Sequence, residues 1–250
     1  MLLNKFMPNK EEWFSNWFGS PYYPMLYKHR NEEEAAFFLT WLCESLALSP
    51  GAKVLDLACG RGRHSRFLNQ LGFSVSGWDI SGESIAEAKE WESEALRFAV
   101  QDMRTPFPEG NFDAVFNLFT SFGYFENTEE NEKVLKHVKQ SLLPDGKLVL
   151  DYLNPEYIIP RLIPYEEKTI NNISFTIERF VLKEFIIKEI TIIDNKNIHK
   201  FKEKVQLFTH SNFENLFSKI GMNLIDTFGD YKGNAFKQKD SPRIICIVSK

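Results

Sequence analysis

Apolar residues recur along this chain in two periods, and the switches between them mark out its elements. Val54, Leu55 and Leu57 form a short apolar run, which predicts a strand buried on both faces. Phe67, Leu68 and Leu71 then follow helical spacing, and Gly72 closes that helix. Phe73, Val75 and Gly77 alternate up to Asp79, a second strand ending in an acid. Arg97 to Asp102 predicts a third strand of the same kind, and Phe112 to Phe116 a fourth, apolar and buried. A helix is expected from about Glu129 to Leu143, with Val134, Leu135, Val138 and Leu142 on one face. Pro144-Asp145-Gly146 stops it, and Lys147 to Asn154 makes strand five. This alternation predicts an α/β chain with a Rossmann-like doubly wound sheet over residues 51–154.

Two further patterns flank that core. Ahead of it, residues 1–50 hold Trp13, Phe14, Trp17, Phe18, Tyr22 and Tyr23, then a helix from about Glu32 to Leu48. Its buried face is Phe38, Leu39, Leu42 and Leu46, with Asn31 as N-cap and Glu34 completing a box-like arrangement. So many aromatics suit an N-terminal helical flap, because disordered segments are poor in them. They would equally suit simple packing on a sheet edge. Behind the core, residues 155–209 switch to a period of two. Ile173, Phe175 and Ile177 alternate with polar residues, as do Phe201, Val205 and Leu207 with Lys200, Lys202 and Lys204. This predicts antiparallel strands with one covered face, turning at Asp194 to Asn197, and the lysines read as the solvated face. Residues 210–250 carry a helix (Asn212 to Ile220, stopped by Gly221) and strands at about Asn223–Phe228 and Arg243–Ser249.

The candidate chemistry lies between the first two strands. Gly60 and Gly62 permit a tight turn and close backbone approach to a ligand, and Asp79 stands at the end of the next strand. Together they form a half-site for a nucleoside. The alternative is an ordinary βαβ unit with Arg61 and Arg63 solvated and His64 packing or capping. A dinucleotide motif would need a third glycine where Ser65 stands, and no Gly-Lys-Ser or Gly-Lys-Thr ends the turn. An acid instead precedes it, in Asp56-x-Ala58-x-Gly60-x-Gly62.

That pattern resembles the acid-x-Gly-x-Gly-x-Gly motif of class I S-adenosylmethionine-dependent methyltransferases, with Ala58 for the first glycine. The resemblance extends to the acid after strand three, the Asn117–Leu118 corner and the Pro-Asp-Gly before strand five. It implies a seven-stranded sheet with an antiparallel last strand and S-adenosyl-L-methionine as cofactor. It also implies cofactor-binding positions at Asp56, Ala58, Cys59, Gly60 and Gly62. Asp79 with Ile80 would serve the ribose, and Gln101, Asp102 and Met103 would surround the adenine. Asp102 could instead only cap the turn into Arg104-Thr105-Pro106. The backbone of Asn117 and Leu118 would lie near the methionine part, with Thr120, Ser121, Gly123 and Tyr124 beside the reactive methyl. Tyr23, Tyr27 and Arg30 are the flap residues expected at its methionine end. The inserted sheet is similar in position to the lid of glycine and amino-sugar N-methyltransferases, where it covers substrate or builds a dimer contact.

The implied reaction is an in-line methyl transfer to nitrogen or oxygen of a small molecule. Tyr124, Asp151, His29, His64 and His210 are conceivable bases, and their spacing selects none of them. Methylation of tRNA or protein is an alternative, as is cofactor binding without turnover. An NAD-dependent oxidoreductase is disfavoured by Ser65. Composition trims this further. Over 250 residues the formal charge of −4 lacks a nucleic-acid footprint. Three cysteines without paired spacing and five scattered histidines suggest free thiols, a reducing compartment and no metal site. An opening stretch too short for a secretory signal and the lack of any run of about 20 apolar residues predict a soluble, cytoplasmic protein. A monomer or homodimer is expected.

Overall fold

The computed structural model describes residues 12–27 and 32–250. Three helices come first: α1 (Trp13–Phe18), α2 (Tyr22–Leu26) and α3 (Glu32–Ser45). The core follows as β1 (Lys53–Leu57), α4 (Arg63–Gln70), β2 (Ser74–Asp79), α5 (Gly82–Ala88), β3 (Leu96–Val100), β4 (Phe112–Asn117), α6 (Thr128–Ser141) and β5 (Leu142–Leu153). After the short α7 (Pro155–Ile158), strands β6 (Tyr165–Ile170), β7 (Ile173–Leu182), β8 (Phe185–Asp194) and β9 (Asn197–Gln206) form a separate antiparallel sheet. The chain closes with α8 (His210–Ile220), β10 (Asn223–Phe228) and β11 (Arg243–Ser249).

The large sheet runs β10-β11-β5-β4-β1-β2-β3. The five strands from β5 to β3 are parallel, while β11 pairs antiparallel with both β5 and β10. The seven strands and the antiparallel closing strand agree with the sequence expectation. Because β1 lies between β2 and β4, the strand order reverses there, and a crevice opens at the carboxyl ends of these strands. Alternate positions along each strand feed two cores. Leu55, Val115 and Leu148 meet α6 and α8 on one face, while Val54, Ala114 and Val149 meet α3, α4 and α5 on the other. The predicted face of α3, from Phe38 to Leu46, is fully buried. Among the described residues no helix is long and apolar enough to cross a membrane.

The structure departs from the pattern at the end of α3 and at the start of β5. Helix α3 ends at Ser45 rather than Leu48, with Ala47 left-handed at φ 52° just beyond. Its expected cap Asn31 lies outside the described residues, as does the side chain of Glu34. Strand β5 begins at Leu142, so Pro144-Asp145-Gly146 falls inside a strand rather than after a helix. There the pairing with β4 slips between Phe112 and Ala114, and a Cβ on Gly146 would sit 2.8 Å from the Phe112 carbonyl oxygen. The glycine therefore serves a close backbone approach.

The four-stranded sheet is covered on one face by the N-terminal helices. Ile173, Phe175 and Ile177 pack with Ile190 and Ile192 against Trp17 and Leu26. The early aromatics thus divide their work, since Trp17 is fully buried on this sheet while Phe14 joins the main core.

Candidate active site

The turn after β1 is held by hydrogen bonds to β2. The N–H groups of Ala58 and Cys59 donate to the Trp78 carbonyl at 2.8 and 3.0 Å, and Gly60 N–H donates to Asp79 Oδ2 at 2.8 Å. Ser81 N–H donates to Asp79 Oδ1 at 2.8 Å. Three turn residues are left-handed: Ala58 at φ 65°, Gly60 at 56° and Gly62 at 78°. Glycine tolerates this freely, whereas Ala58 bears a cost of about 1–2 kcal/mol. The two glycines differ in their surroundings. A Cβ on Gly60 would meet nothing within 4 Å, while one on Gly62 would lie 2.6 Å from the Phe98 ring. Gly62→Ala is therefore expected to cost about 1–3 kcal/mol beyond Gly60→Ala, through overpacking against β3. Urea unfolding midpoints check this, and equal losses would contradict the contact.

Ser65, which breaks the dinucleotide motif, has its own task. Its hydroxyl donates to Asp56 Oδ2 at 2.6 Å, with Ser65 fully buried and Asp56 1% exposed. Burial raises the Asp56 pKa from 3.8 to about 6, opposed by the Ser65 hydrogen bond and reinforced by the Asp79 carboxylate. The folded protein thus holds this proton more tightly than the unfolded chain. The associated stability is full below the unfolded value and declines as pH rises through about 6. Asp56→Asn should abolish that decline, so its melting temperature should gain on the parent's between about pH 4 and about pH 7. A constant difference between the two would remove Asp56 as the titrating group.

The corner after β4 is strained and heavily braced. Phe119 and Thr120 are both left-handed, at φ 57° and 62°. Phe119 N–H donates to Asp151 Oδ2 at 2.8 Å, and Thr120 N–H to the Asp151 carbonyl at 3.0 Å. Arg243 Nε donates to Asp151 Oδ1 at 2.8 Å, its Nη2 reaches Thr120 Oγ1 at 2.9 Å, and the Tyr231 hydroxyl donates to Asp151 Oδ2 at 3.1 Å. The side-chain amide of Asn117 turns inward, donating to the Leu57 carbonyl at 3.0 Å.

Asp102 fulfils the capping alternative and also borders the cavity. Arg104 N–H donates to its Oδ1 at 2.9 Å, and the Arg104 guanidinium binds both carboxylate oxygens. The same guanidinium reaches Glu12 at 2.6 and 2.7 Å and lies over the Phe125 ring, so it ties the N-terminal segment to the strand-three loop.

These elements enclose a cavity of about 350 Å³. Asp56, Ala58, Cys59 and Gly60 line one side, Asp79 and Ile80 the next, and Gln101, Asp102 and Met103 the far end. Leu118 and Tyr23 also border it, whereas Gly62, packed against Phe98, and Asn117, bonded to the Leu57 carbonyl, are not among its lining residues. Arg30 lies outside the described residues. Arg61 pairs with Glu87 at 2.8 Å, and His64 stacks on Phe119 with its Nε2 accepting from Arg63 at 3.0 Å. A second cavity of about 370 Å³ adjoins the first and lies between the β4 corner and the inner face of the small sheet. The two share Phe18, Tyr23, Tyr27, Phe119 and Tyr124. The sequence reading missed Arg104, Arg243 and Glu203. Glu203 alone left a trace, as an acid at an inward position between Phe201 and Val205.

A doubly wound sheet with carboxylates at the ends of β1 and β2 and after β3 is an arrangement that suits a nucleoside in an α/β protein. Residues 54–146 match the methyltransferase domain family. The chain is 24% identical over 181 residues to dTDP-3-amino-3,6-dideoxy-alpha-D-glucopyranose N,N-dimethyltransferase of Streptomyces fradiae, covering 69% of this chain and 71% of that one. It is 30% identical over 151 residues to rat (Rattus norvegicus) glycine N-methyltransferase, covering 54% and 51%. Its fold is similar to the crystal structure of a methyltransferase from Clostridium acetobutylicum, with a TM-score of 0.79 at 20% identity, over 94% and 98% of the two chains. Residues 54–146 thus form a methyltransferase domain, and the chain is similar in sequence and fold to class I S-adenosylmethionine-dependent methyltransferases. It spans about half the length of the curated relatives that it matches at 30% identity or more.

The residues present fit that cofactor. Gly60 faces open space, and each oxygen of Asp79 accepts one backbone N–H, which leaves a lone pair for a ribose hydroxyl.

Proposed function

We propose that this protein transfers the methyl group of S-adenosylmethionine to a nitrogen or oxygen atom of a small molecule bound in the second cavity. The observation that carries this reading is the junction of the two cavities at Phe18, Tyr23, Tyr27, Phe119 and Tyr124. A volume of about 370 Å³, walled by the small sheet, suits a metabolite-sized acceptor rather than a folded macromolecule. In this reading the small sheet and the N-terminal helices act as the lid. Nitrogen is the favoured target, because the Streptomyces and rat relatives are named as N-methyltransferases.

Asp79 would hold the ribose, Asp102 and Met103 the adenine, and the glycine turn with Asp56 and Leu118 the methionine end. Arg30 would reach the methionine end with Tyr23. The cofactor supplies an electrophilic methyl on a sulfonium. The faces of Tyr23, Phe119 and Tyr124 would favour that cation, and the cavity walls would align the acceptor with it. The test is a screen of amines, amino sugars and phenols for release of the demethylated cofactor. Turnover with small amines is the expected result. Turnover only with tRNA or protein would overturn the reading.

A further inference from the structure

The inner face of the small sheet changes character along its length. Positions of one parity in β7 are Ile173, Phe175, Ile177 and then Arg179. In β8 they are Ile192, Ile190 and then Lys188, and in β9 Glu203 stands between Phe201 and Val205. The charged members are cross-strand neighbours, with Arg179 opposite Lys188 and Lys188 opposite Glu203. Charges on a mostly buried face cost free energy unless paired and hydrogen-bonded.

Here the pairing is specific. Glu203 Oε1 accepts from Trp17 Nε1 and from the Tyr27 hydroxyl, both at 2.7 Å, while Oε2 lies 3.4 Å from Lys188 Nζ. Lys188 Nζ in turn donates to the Tyr27 oxygen. Tyr27 thus gives its proton toward a carboxylate and receives one from an ammonium, and its ring borders both cavities.

The other candidate proton acceptors are committed elsewhere. The Tyr124 hydroxyl donates to the Thr120 carbonyl, which is no base. Asp151 is saturated by Arg243, Tyr231 and the Phe119 N–H. His64 Nε2 accepts from Arg63, and His210 bonds Thr227 and packs on Phe236. Glu166 is held by Lys168 at 2.8 Å and Arg179 at 2.6 Å, and these hydrogen bonds lower its pKa. His29 lies outside the described residues.

We propose that Tyr27 and Glu203 form the proton-accepting pair for the methyl acceptor, with Lys188 holding the phenol oxygen. This rests on the reading of the second cavity as the acceptor site. An acceptor ammonium or hydroxyl proton passes to Tyr27 Oη while the phenol proton passes to Glu203 Oε1. That leaves a neutral phenol, a neutral carboxyl and a lone pair on the acceptor atom. The lone pair forms the new bond to the methyl carbon, the electrons of the carbon–sulfur bond stay on sulfur, and the Glu203 proton returns to solvent. The charged and titratable groups facing Tyr27 among the described residues are Tyr23 on α2, Lys188 on β8 and Glu203 on β9. Across the second cavity stand Glu166 on β6, Arg179 on β7, Arg161 after α7 and Arg243 on β11.

Two measurements test the pair. In cofactor-free protein, the difference in tyrosinate absorbance between the parent and Tyr27→Phe isolates the Tyr27 titration. Glu203→Gln should lower its midpoint and Lys188→Met should raise it, each by about one pH unit. A midpoint indifferent to both changes overturns the proposal. With the best amine from the acceptor screen, Glu203→Gln and Tyr27→Phe should each lose on the order of 100-fold in kcat near neutrality. The loss should disappear as pH rises past the amine's own pKa, with S-adenosylmethionine affinity unchanged. Rate profiles parallel to the parent's at every pH would also overturn it. If no amine is methylated by the parent, the functional reading fails instead, and the Tyr27 titration still decides the fate of the pair.

Discussion

Replacing Asp79 with alanine is expected to weaken S-adenosylmethionine binding by about 1–3 kcal/mol, roughly 5- to 150-fold in Kd. The carboxylate is the ribose acceptor in this account, and hydrogen bonds to a charged acceptor carry that much. The same change strips Gly60 N–H and Ser81 N–H of their partner, both now at 2.8 Å. Stability should therefore fall as well, by about 1–3 kcal/mol for donors left buried and unpaired. Asp79→Asn separates the two effects. Its single carbonyl can satisfy only one of the two N–H groups, so it should fall between the parent and the alanine variant in both measurements. Calorimetric titration and urea unfolding read the two quantities. Unchanged affinity in Asp79→Ala would show that the ribose assignment is wrong.

The largest loss of stability is expected from Arg243→Met. Asp151 has no exposed surface, and Arg243 is its cationic partner, with Nε and Nη2 at 2.8 and 2.7 Å from Oδ1. Removing one member of a buried pair strands the other charge, which costs about 3–5 kcal/mol. Asp151 also receives the Phe119 N–H, and Arg243 also reaches Thr120, so the corner shared by both cavities should loosen. Combining Arg243→Met with Asp151→Asn should recover much of the stability, because no uncompensated charge remains. Two single variants whose losses simply add would argue against a coupled pair. Stability is read from unfolding midpoints, and the corner from amide exchange at Phe119 and Thr120.

Local patterns carried most of this fold. Strands buried on both faces left unbroken apolar runs at Val54–Leu57 and Phe112–Phe116, and glycines marked the turn where left-handed backbone is needed. Asp56 and Asp79 were legible because they stand beside that turn in sequence. What escaped the reading has a common cause: its meaning lies in contacts distant along the chain. Arg243 serves Asp151 from 92 residues away, and Arg104 grips Glu12 across the same interval. Ser65 read only as a missing glycine, because its bond to Asp56 depends on how α4 docks on β1. The apolar side chain of Leu142 suits a helix or a strand equally, and only pairing with Phe112 decides. The alternation of Lys200, Lys202 and Lys204 marks the solvated face of β9, while Glu203, the residue that meets Trp17 and Tyr27, stands on the other.

If the turn between Asp56 and Asp79 holds S-adenosylmethionine and not a dinucleotide, the two ligands will separate in calorimetric titration of the whole protein with each in turn. Saturable heat at one site per chain with S-adenosylmethionine, and none with NAD, is the expected result. Saturable heat with NAD, or no heat with S-adenosylmethionine, would contradict it.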